Sequence, residues 1–235
     1  MIFKQLFDLN TNTYTYLLAC ENTRKAILID TVASEMEVYT DLLKQLNLVL
    51  IYTLETHVHA DHITAASLLR TQLGSKSIVH RDAGAMCADL LVTEGIELQI
   101  GSLLIKVLHT AGHTSGCVSY VIDDRVFTGD SLLINGCGRT DFQEGDSATL
   151  YKNITEKLFT LPPDTLVYPG HDYHGKRVSS IAQEIALNPR LGQQKTCAEF
   201  IEIMNNLNLS YPKYIDEALP ANKICGQTPN AIQQG

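Results

Sequence analysis

No apolar run in the sequence approaches the roughly 18 residues that a membrane-crossing helix needs. CxxC pairs are also missing. The six cysteines, Cys20, Cys87, Cys117, Cys137, Cys197 and Cys225, are scattered, and a chain of 235 residues is long enough to fold without disulfide staples. They are therefore read as reduced thiols in a cytosol-like compartment. Positive charge is short: 18 Lys and Arg against 26 Asp and Glu give a net charge of -8. That balance argues against nucleic acid or an anionic membrane as the main partner and leaves room only for a local basic pocket that takes a small anion. The start, Met1 to Asp8, has a lone lysine and no apolar h-region, and it lacks the Arg-rich, acid-poor look of a transit peptide. A cytoplasmic location is expected, or the mitochondrial matrix for a form that has lost a transit peptide. There is no strong internal repeat, low-complexity stretch or long linker. Hydrophobic residues at 45% and charged residues at 19% supply a packed core and exclude wholesale disorder.

The pattern along the chain predicts two sets of short strands, each followed by helices. Ile2 to Phe7 and Tyr14 to Cys20 are β-rich around a polar turn, Ala26 to Ile29 is a short apolar run ending at Asp30, and Val49 to Leu54 is a buried strand. Ser34 and Glu37 have capping-box spacing ahead of a helix through Val38, Leu42, Leu43 and Leu46. A second helix is expected over Ile63 to Leu73, closed by Gly74, and then a strand over Ser77 to His80. Ile96 to Ile100, Leu103 to Leu108, Cys117 to Ile122 and Val126 to Phe127 form the second strand set, with a helix over Ser147 to Phe159 and a last strand at Leu166 to Tyr168. Helices near Val178 to Leu187 and Cys197 to Leu207 follow, and Thr228 to Gly235 reads as a frayed tail. Two stacked sheets with helices outside would bury both strand sets, because their apolar runs are nearly continuous.

The chemistry concentrates where strands end. Three of the eight histidines fall in His57-Val58-His59-Ala60-Asp61-His62, directly after a buried strand. Imidazole and carboxylate at that density suit a divalent metal. The stretch His109-Thr110-Ala111-Gly112-His113 also follows a strand. His113 is the favoured ligand there, since Gly112 lets its backbone crowd the site, and His109 is expected to continue the strand and pack. Phe127-Thr128-Gly129-Asp130 delivers a strand-final carboxylate, and Tyr168-Pro169-Gly170-His171 a further histidine. Each of the last two signals alone is weak, since Asp at a strand end is a common turn residue. Four strand ends delivering ligand types together are strong.

In order and type these four elements resemble the metallo-β-lactamase superfamily, from His57 through His171. The resemblance implies an α+β fold, the αββα four-layer sandwich, as one domain over 1–235 with C-terminal helices over 176–235 packed on it. By count, the seven candidate ligands suit a binuclear hydrolase such as the thioester hydrolase glyoxalase II, with Asp130 bridging two metals that activate a water. Other stretches resemble the persulfide dioxygenases, the mononuclear iron branch: Leu132 to Gln143, Pro169 to Gly175, Leu187 to Leu191 and Pro220 to Gly226. Gly170-His171 departs from the Ala-His that dioxygenase relatives often carry. The 64 residues after His171 leave no room for a large separate helical substrate domain of the glyoxalase II kind.

That resemblance implies Fe(II), one per chain, on His57, His113 and Asp130, the two-His-one-carboxylate set of non-haem iron oxygenases. His59, Asp61, His62 and His171 would hold the ligands in place by hydrogen bonds. The implied substrates are glutathione persulfide and O₂, with Arg139, Tyr173 and Arg190 around the glutathione and Cys137 a candidate for persulfide contact or oxidation. A homodimer and a sulfurtransferase partner are expected on the same ground. The rivals are the binuclear glutathione thioester hydrolase and a non-catalytic metal-binding or redox-sensing protein built on Cys137.

Overall fold

Residues 1–227 are described in the computed structural model of the chain. The expected tail at Thr228 to Gly235 lies outside them. Among the described residues, twelve strands form two six-stranded sheets. The first runs in chain order through β1 (Ile2–Asp8), β2 (Thr13–Ala19), β3 (Lys25–Ile29), β4 (Val49–Leu54), β5 (Lys76–His80) and β6 (Leu90–Val92). The second holds β7 (Glu97–Ile100), β8 (Leu103–His109), β9 (Val118–Ile122), β10 (Arg125–Gly129), β11 (Leu166–Pro169) and β12 (Ser179–Ser180), again as sequential neighbours.

Strand β2 shows why the architecture has four layers. Every residue of it is buried. Tyr14, Tyr16 and Leu18 point into the core between the sheets, whereas Leu17 and Ala19 face Tyr39 and Leu43 of α1 (Met36–Gln45) and Leu69 of α2 (Ala66–Leu73). A strand covered on both faces has no need of polar alternation. On the far side, Val126 and Val167 meet Leu150 of α3 (Ser147–Asn153), Ile181 of α4 (Ile181–Leu187) and Phe200 and Met204 of α5 (Cys197–Asn205). The expected αββα sandwich is the fold.

Strand direction gathers the chemistry at one edge. Strands β8 and β10 are both antiparallel to β9, and β11 is parallel to β10, so the three C-terminal ends share an edge. The first sheet joins them there: Tyr14 N–H bonds to the Gly170 carbonyl and Val118 N–H to the Thr56 carbonyl, at 2.8 Å each.

Several local expectations are corrected. Ser34 and Glu37 form no capping box. Ser34 lies inside a 3₁₀ turn (Ala33–Glu35), and α1 begins after Glu35 with no side-chain cap. Helix α2 starts at Ala66 rather than Ile63, because the Ile63 carbonyl and the Ala65 N–H are engaged by Ala33 and Thr31. Past Asn153, α3 becomes a π turn (Ile154–Leu158). Strands β6 and β12 and helix α6 (Ile215–Asn222) were not foreseen, the last because Pro220 lies inside it. Nor are all the thiols free: Cys87 and Cys225 are joined, 138 residues apart, with their Cα atoms 5.8 Å apart. Helix α6 delivers Cys225 to that place, and no local spacing announces such a pair. Cys20, Cys117, Cys137 and Cys197 are free.

Between the sheets an aromatic cluster carries much of the packing. Phe127 is fully buried, its ring 4.7 Å from Tyr16 and 5.5 Å from Tyr168 between centroids. Phe127→Ala is expected to lower stability by about 3–5 kcal/mol, through lost burial and an unfilled cavity. Urea unfolding checks this: the midpoint should fall with the denaturant slope unchanged.

Candidate metal centre

Strand β3 ends in Asp30, whose φ of +54° turns the chain through the left-handed region that Asp tolerates better than most residues. Its carboxylate accepts the Thr56 N–H at 2.7 Å and the Thr56 hydroxyl at 2.9 Å. With that hydroxyl donating to Asp30, its oxygen accepts from His57 Nδ1 at 3.0 Å. The proton of His57 is thus on Nδ1, and Nε2 is bare. The ring is kept neutral chiefly by burial and then by its neighbours His59 and His113, which hold its pKa well below the usual value.

His113 is fixed the same way from another direction. Its Nδ1 donates to the Arg139 carbonyl at 2.6 Å, leaving Nε2 bare and 3.8 Å from Asp130 Oδ2. Gly138 makes this approach possible, since a Cβ there would stand 2.7 Å from His113 Nδ1. Asp130 follows Gly129, where a Cβ would stand 2.3 Å from Thr56 Oγ1. Both glycines are required by the closeness of the strand ends. Gly112, expected to make room for a ligand, instead backs onto Leu150 of α3.

One donor atom each from His57, His113 and Asp130 lies within 4.8 Å of the other two. Two imidazoles and a carboxylate, each with its outer atom already oriented, form a set that fits a divalent transition metal with positions left open.

The other four candidates surround this set. His171 lies between two carboxylates, Nδ1 at 2.6 Å from Asp130 Oδ1 and Nε2 at 2.9 Å from Asp61 Oδ2. Burial would discharge the ring, but these two acids raise its pKa well above normal. Asp61 also faces His62 Nδ1 at 2.8 Å. His59 points its Nε2 at Asp30, 3.1 Å away, and Glu55, 3.4 Å away. Burial pulls its pKa down, but the acids win and lift it to about 10. His59, Asp61 and His62 themselves converge within 4.8 Å, the second cluster that a binuclear reading needs.

Three candidates are engaged within the chain itself. Arg139 serves His113 with its backbone, and its guanidinium forms a two-pronged pair with Asp141 at 2.6 and 2.7 Å and bonds to the Ser210 carbonyl. Arg190 donates to the Cys137 carbonyl at 2.7 Å and so braces that loop. Cys137 is buried against Met204, and burial pushes its thiol up to about 11, which disfavours the thiolate. Tyr173 stays exposed, its ring parallel to His171 with centroids 6.2 Å apart, at the mouth of the centre. His109 ends β8 and packs against His80, as expected of it.

Sequence reasoning missed Asp30, Thr56, Thr13 and Asn222 as parts of the site. Thr13 Oγ1 sits 3.1 Å from Asp61 and 3.2 Å from His171. Asn222 donates to the carbonyls of His59 and His62, at 2.9 and 2.7 Å, and accepts the Thr64 N–H at 2.9 Å. Only Asp30 carried a local signal, as the acid closing a buried strand.

The family model of the metallo-beta-lactamase superfamily matches residues 10–171. The chain is 48% identical to the mitochondrial persulfide dioxygenase ETHE1 of Mus musculus over 233 residues, 97% of this chain and 91% of that protein. Against its Homo sapiens counterpart it is 48% identical over 98% of this chain and 91% of the other. The crystal structure of ETHE1 from Myxococcus xanthus superposes with a TM-score of 0.95 at 51% identity, covering 97% of this chain and all of that one.

The Thr56 hydroxyl links Asp30 to His57, so Thr56→Val should keep the shape and lose the tautomer control. Metal affinity, measured by competition with a chelator, is expected to fall about 10- to 100-fold. Unchanged affinity would mean that His57 is oriented by packing alone.

Proposed function

The chain belongs to the metallo-beta-lactamase superfamily, and within it we propose that it works as a glutathione persulfide dioxygenase. Glutathione persulfide, O₂ and water would give glutathione, sulfite and protons. The observation that carries the reading is the donor set: His57, His113 and Asp130 converge, with the outer nitrogens of both histidines already engaged. We assign Fe(II), one per chain, to these three residues. When bound, it supplies the O₂ chemistry that no side chain can provide.

The chain's own residues do the rest. The Thr56 hydroxyl and the Arg139 carbonyl hold the two imidazoles at fixed angles. His171 holds Asp130 by one oxygen and leaves the other toward His113. Both nitrogens of His171 are taken by Asp130 and Asp61, so it offers no free lone pair to a second ion. That favours one metal over the binuclear thioester hydrolase. The exposed Tyr173 ring is assigned to the peptide part of glutathione, and Arg139 and Arg190 to its carboxylates. Arg139 meets a substrate carboxylate by exchanging it for Asp141, a swap that the planar guanidinium fork makes geometrically direct.

The proposal extends to the setting: a single domain with the described residues from 176 onward packed on it, a homodimer, persulfide delivered by a sulfurtransferase, and a cytoplasmic location or the mitochondrial matrix. Among the described residues no helix is long and apolar enough to cross a membrane.

Dissolved oxygen decides the main point. With Fe(II) and glutathione persulfide, the protein should consume O₂ and release sulfite. Hydrolysis of S-lactoylglutathione without oxygen uptake would establish the hydrolase instead. Elemental analysis should find about one iron per chain, lost in His113→Ala and largely kept in His174→Ala; two zincs per active chain would sink the assignment.

Tyr173→Phe removes one hydroxyl at the mouth and nothing at the metal. It should raise KM roughly fivefold, the worth of one ordinary hydrogen bond, with full iron content. A wild-type KM would put the glutathione elsewhere.

A further inference from the structure

Among the described residues, a second convergence of imidazole and carboxylate donors lies outside the centre. His80 ends β5, Asp82 follows in the next turn, and His109 ends β8. The cluster therefore bridges the two sheets. The His80 and His109 rings stack with centroids 3.9 Å apart and 15° between their planes. Asp82 Oδ2 is 3.8 Å from His80 Nδ1, and one donor atom of each residue lies within 4.8 Å of the other two.

Hydrogen bonding fixes which nitrogens carry the lone pairs. His109 Nε2 faces the Ser115 carbonyl at 2.9 Å, so the proton is there and Nδ1 is free. That outward N–H to a carbonyl is the bond that orients histidine ligands in metal sites generally. His80 Nδ1 accepts the Asp82 N–H at 3.1 Å, so its lone pair is also on Nδ1. Burial and then His109 lower the His80 pKa to about 4, and no proton competes for that lone pair at neutral pH. The Asp82 side chain is 53% exposed, which gives the cluster an opening to solvent. Two cations border the cluster: Lys157, paired with Glu94 at 2.7 Å, also donates to the His109 carbonyl at 2.6 Å, and Arg81, its side chain 67% exposed, makes a loose surface contact with Asp82 Oδ1 at 4.0 Å that a bound ion would displace.

We propose that His80, Asp82 and His109 form a second divalent metal site, suited to Zn²⁺ or a like transition ion. Two imidazoles and a carboxylate favour such an ion over Mg²⁺ or Ca²⁺, and three protein ligands leave a position for water. Binding opens the stack, since each lone pair lies in its own ring plane and the planes must splay to meet at one ion. His109, only partly buried, is the ring that tilts, pivoting about its Nε2–H bond to the Ser115 carbonyl, and the ion replaces the Asp82 N–H at His80 Nδ1.

The site's position gives it a role. His109 and Ser115 bracket the loop that carries His113, and Ser115 Oγ donates to the Asp82 carbonyl at 3.2 Å. An ion on His80, Asp82 and His109 pins that loop to the turn after β5. It acts as a structural clamp behind the catalytic metal, and it takes no part in the oxidation.

The test adds Zn²⁺ alone to protein whose main centre is already loaded. Calorimetry and elemental analysis after desalting count the ions, and thermal unfolding reports stability. The expected result is about one further equivalent per chain, with the first metal retained and a higher Tm at saturation. In Asp82→Asn, and separately in His109→Gln, that equivalent should bind at least about tenfold more weakly and the Tm gain should vanish. Both variants preserve the fold, since Asp82 is exposed and a glutamine amide still reaches the Ser115 carbonyl. Three outcomes overturn the proposal: no further equivalent, one-for-one displacement of the first metal, or an equivalent that both variants keep at full affinity.

Discussion

The carboxylate of Asp30 is the point on which the metal centre hangs. It joins the ends of β3 and β4 by accepting both donors of Thr56, and it takes the Nε2 of His59 as well. From there the order passes through one hydroxyl to His57. Asp30 is only 1% exposed, so its charge is tolerable only while these donors stay in place. Removing one partner of a buried charge costs about 3–5 kcal/mol, far more than a surface contact. The strand ends cannot drift apart without that penalty, and the metal ligands inherit the rigidity.

Around this anchor the site is a dense set of buried charges in alternation. Asp30 and Glu55 flank His59; Asp61 and Asp130 flank His171. Burial alone would discharge His59 and His171 and would push Asp61 and Asp130 toward protonation. Paired, they keep their charges. His57 and His113 are left as the rings with a bare Nε2, because their Nδ1 atoms face a hydroxyl and a carbonyl rather than acids. The division between ligands and supporting residues thus follows from what stands behind each ring, although all are histidines within one short stretch or one loop of another.

That division explains how far the sequence could be read. The two sheets were legible because strands such as β2 are apolar on both faces, and the ligand types were legible because they sit directly at strand ends. The partners of those ligands were not. Arg139 drew notice for its cation alone, while its carbonyl also holds His113, and a backbone atom leaves no trace in residue type. Arg190 and Cys137 form a mutual brace across 53 residues. Cys87 looked like one more free thiol until the fold put Cys225 beside it. Local pattern reports which residues are polar at a strand end; only the closed fold decides which atom of each faces the metal.

The last helix makes the same argument over the longest distance. Asn222 satisfies the carbonyls of His59 and His62 and the N–H of Thr64, partners 158 to 163 residues away in sequence. All of these groups are in or beside the metal loop and buried, and a buried backbone group without a partner is costly. A Cβ at Gly226 would stand 2.0 Å from the Thr64 carbonyl, so the segment just beyond α6 presses on the same loop. The loop between β4 and α2 is therefore complete only when α6 has docked. Contacts this distant form late, because the chain between them must close first. The geometry of the first ligands in the sequence is thus finished by one of its last elements, and metal binding is tied to completion of the whole fold rather than to the short stretch that carries the histidines.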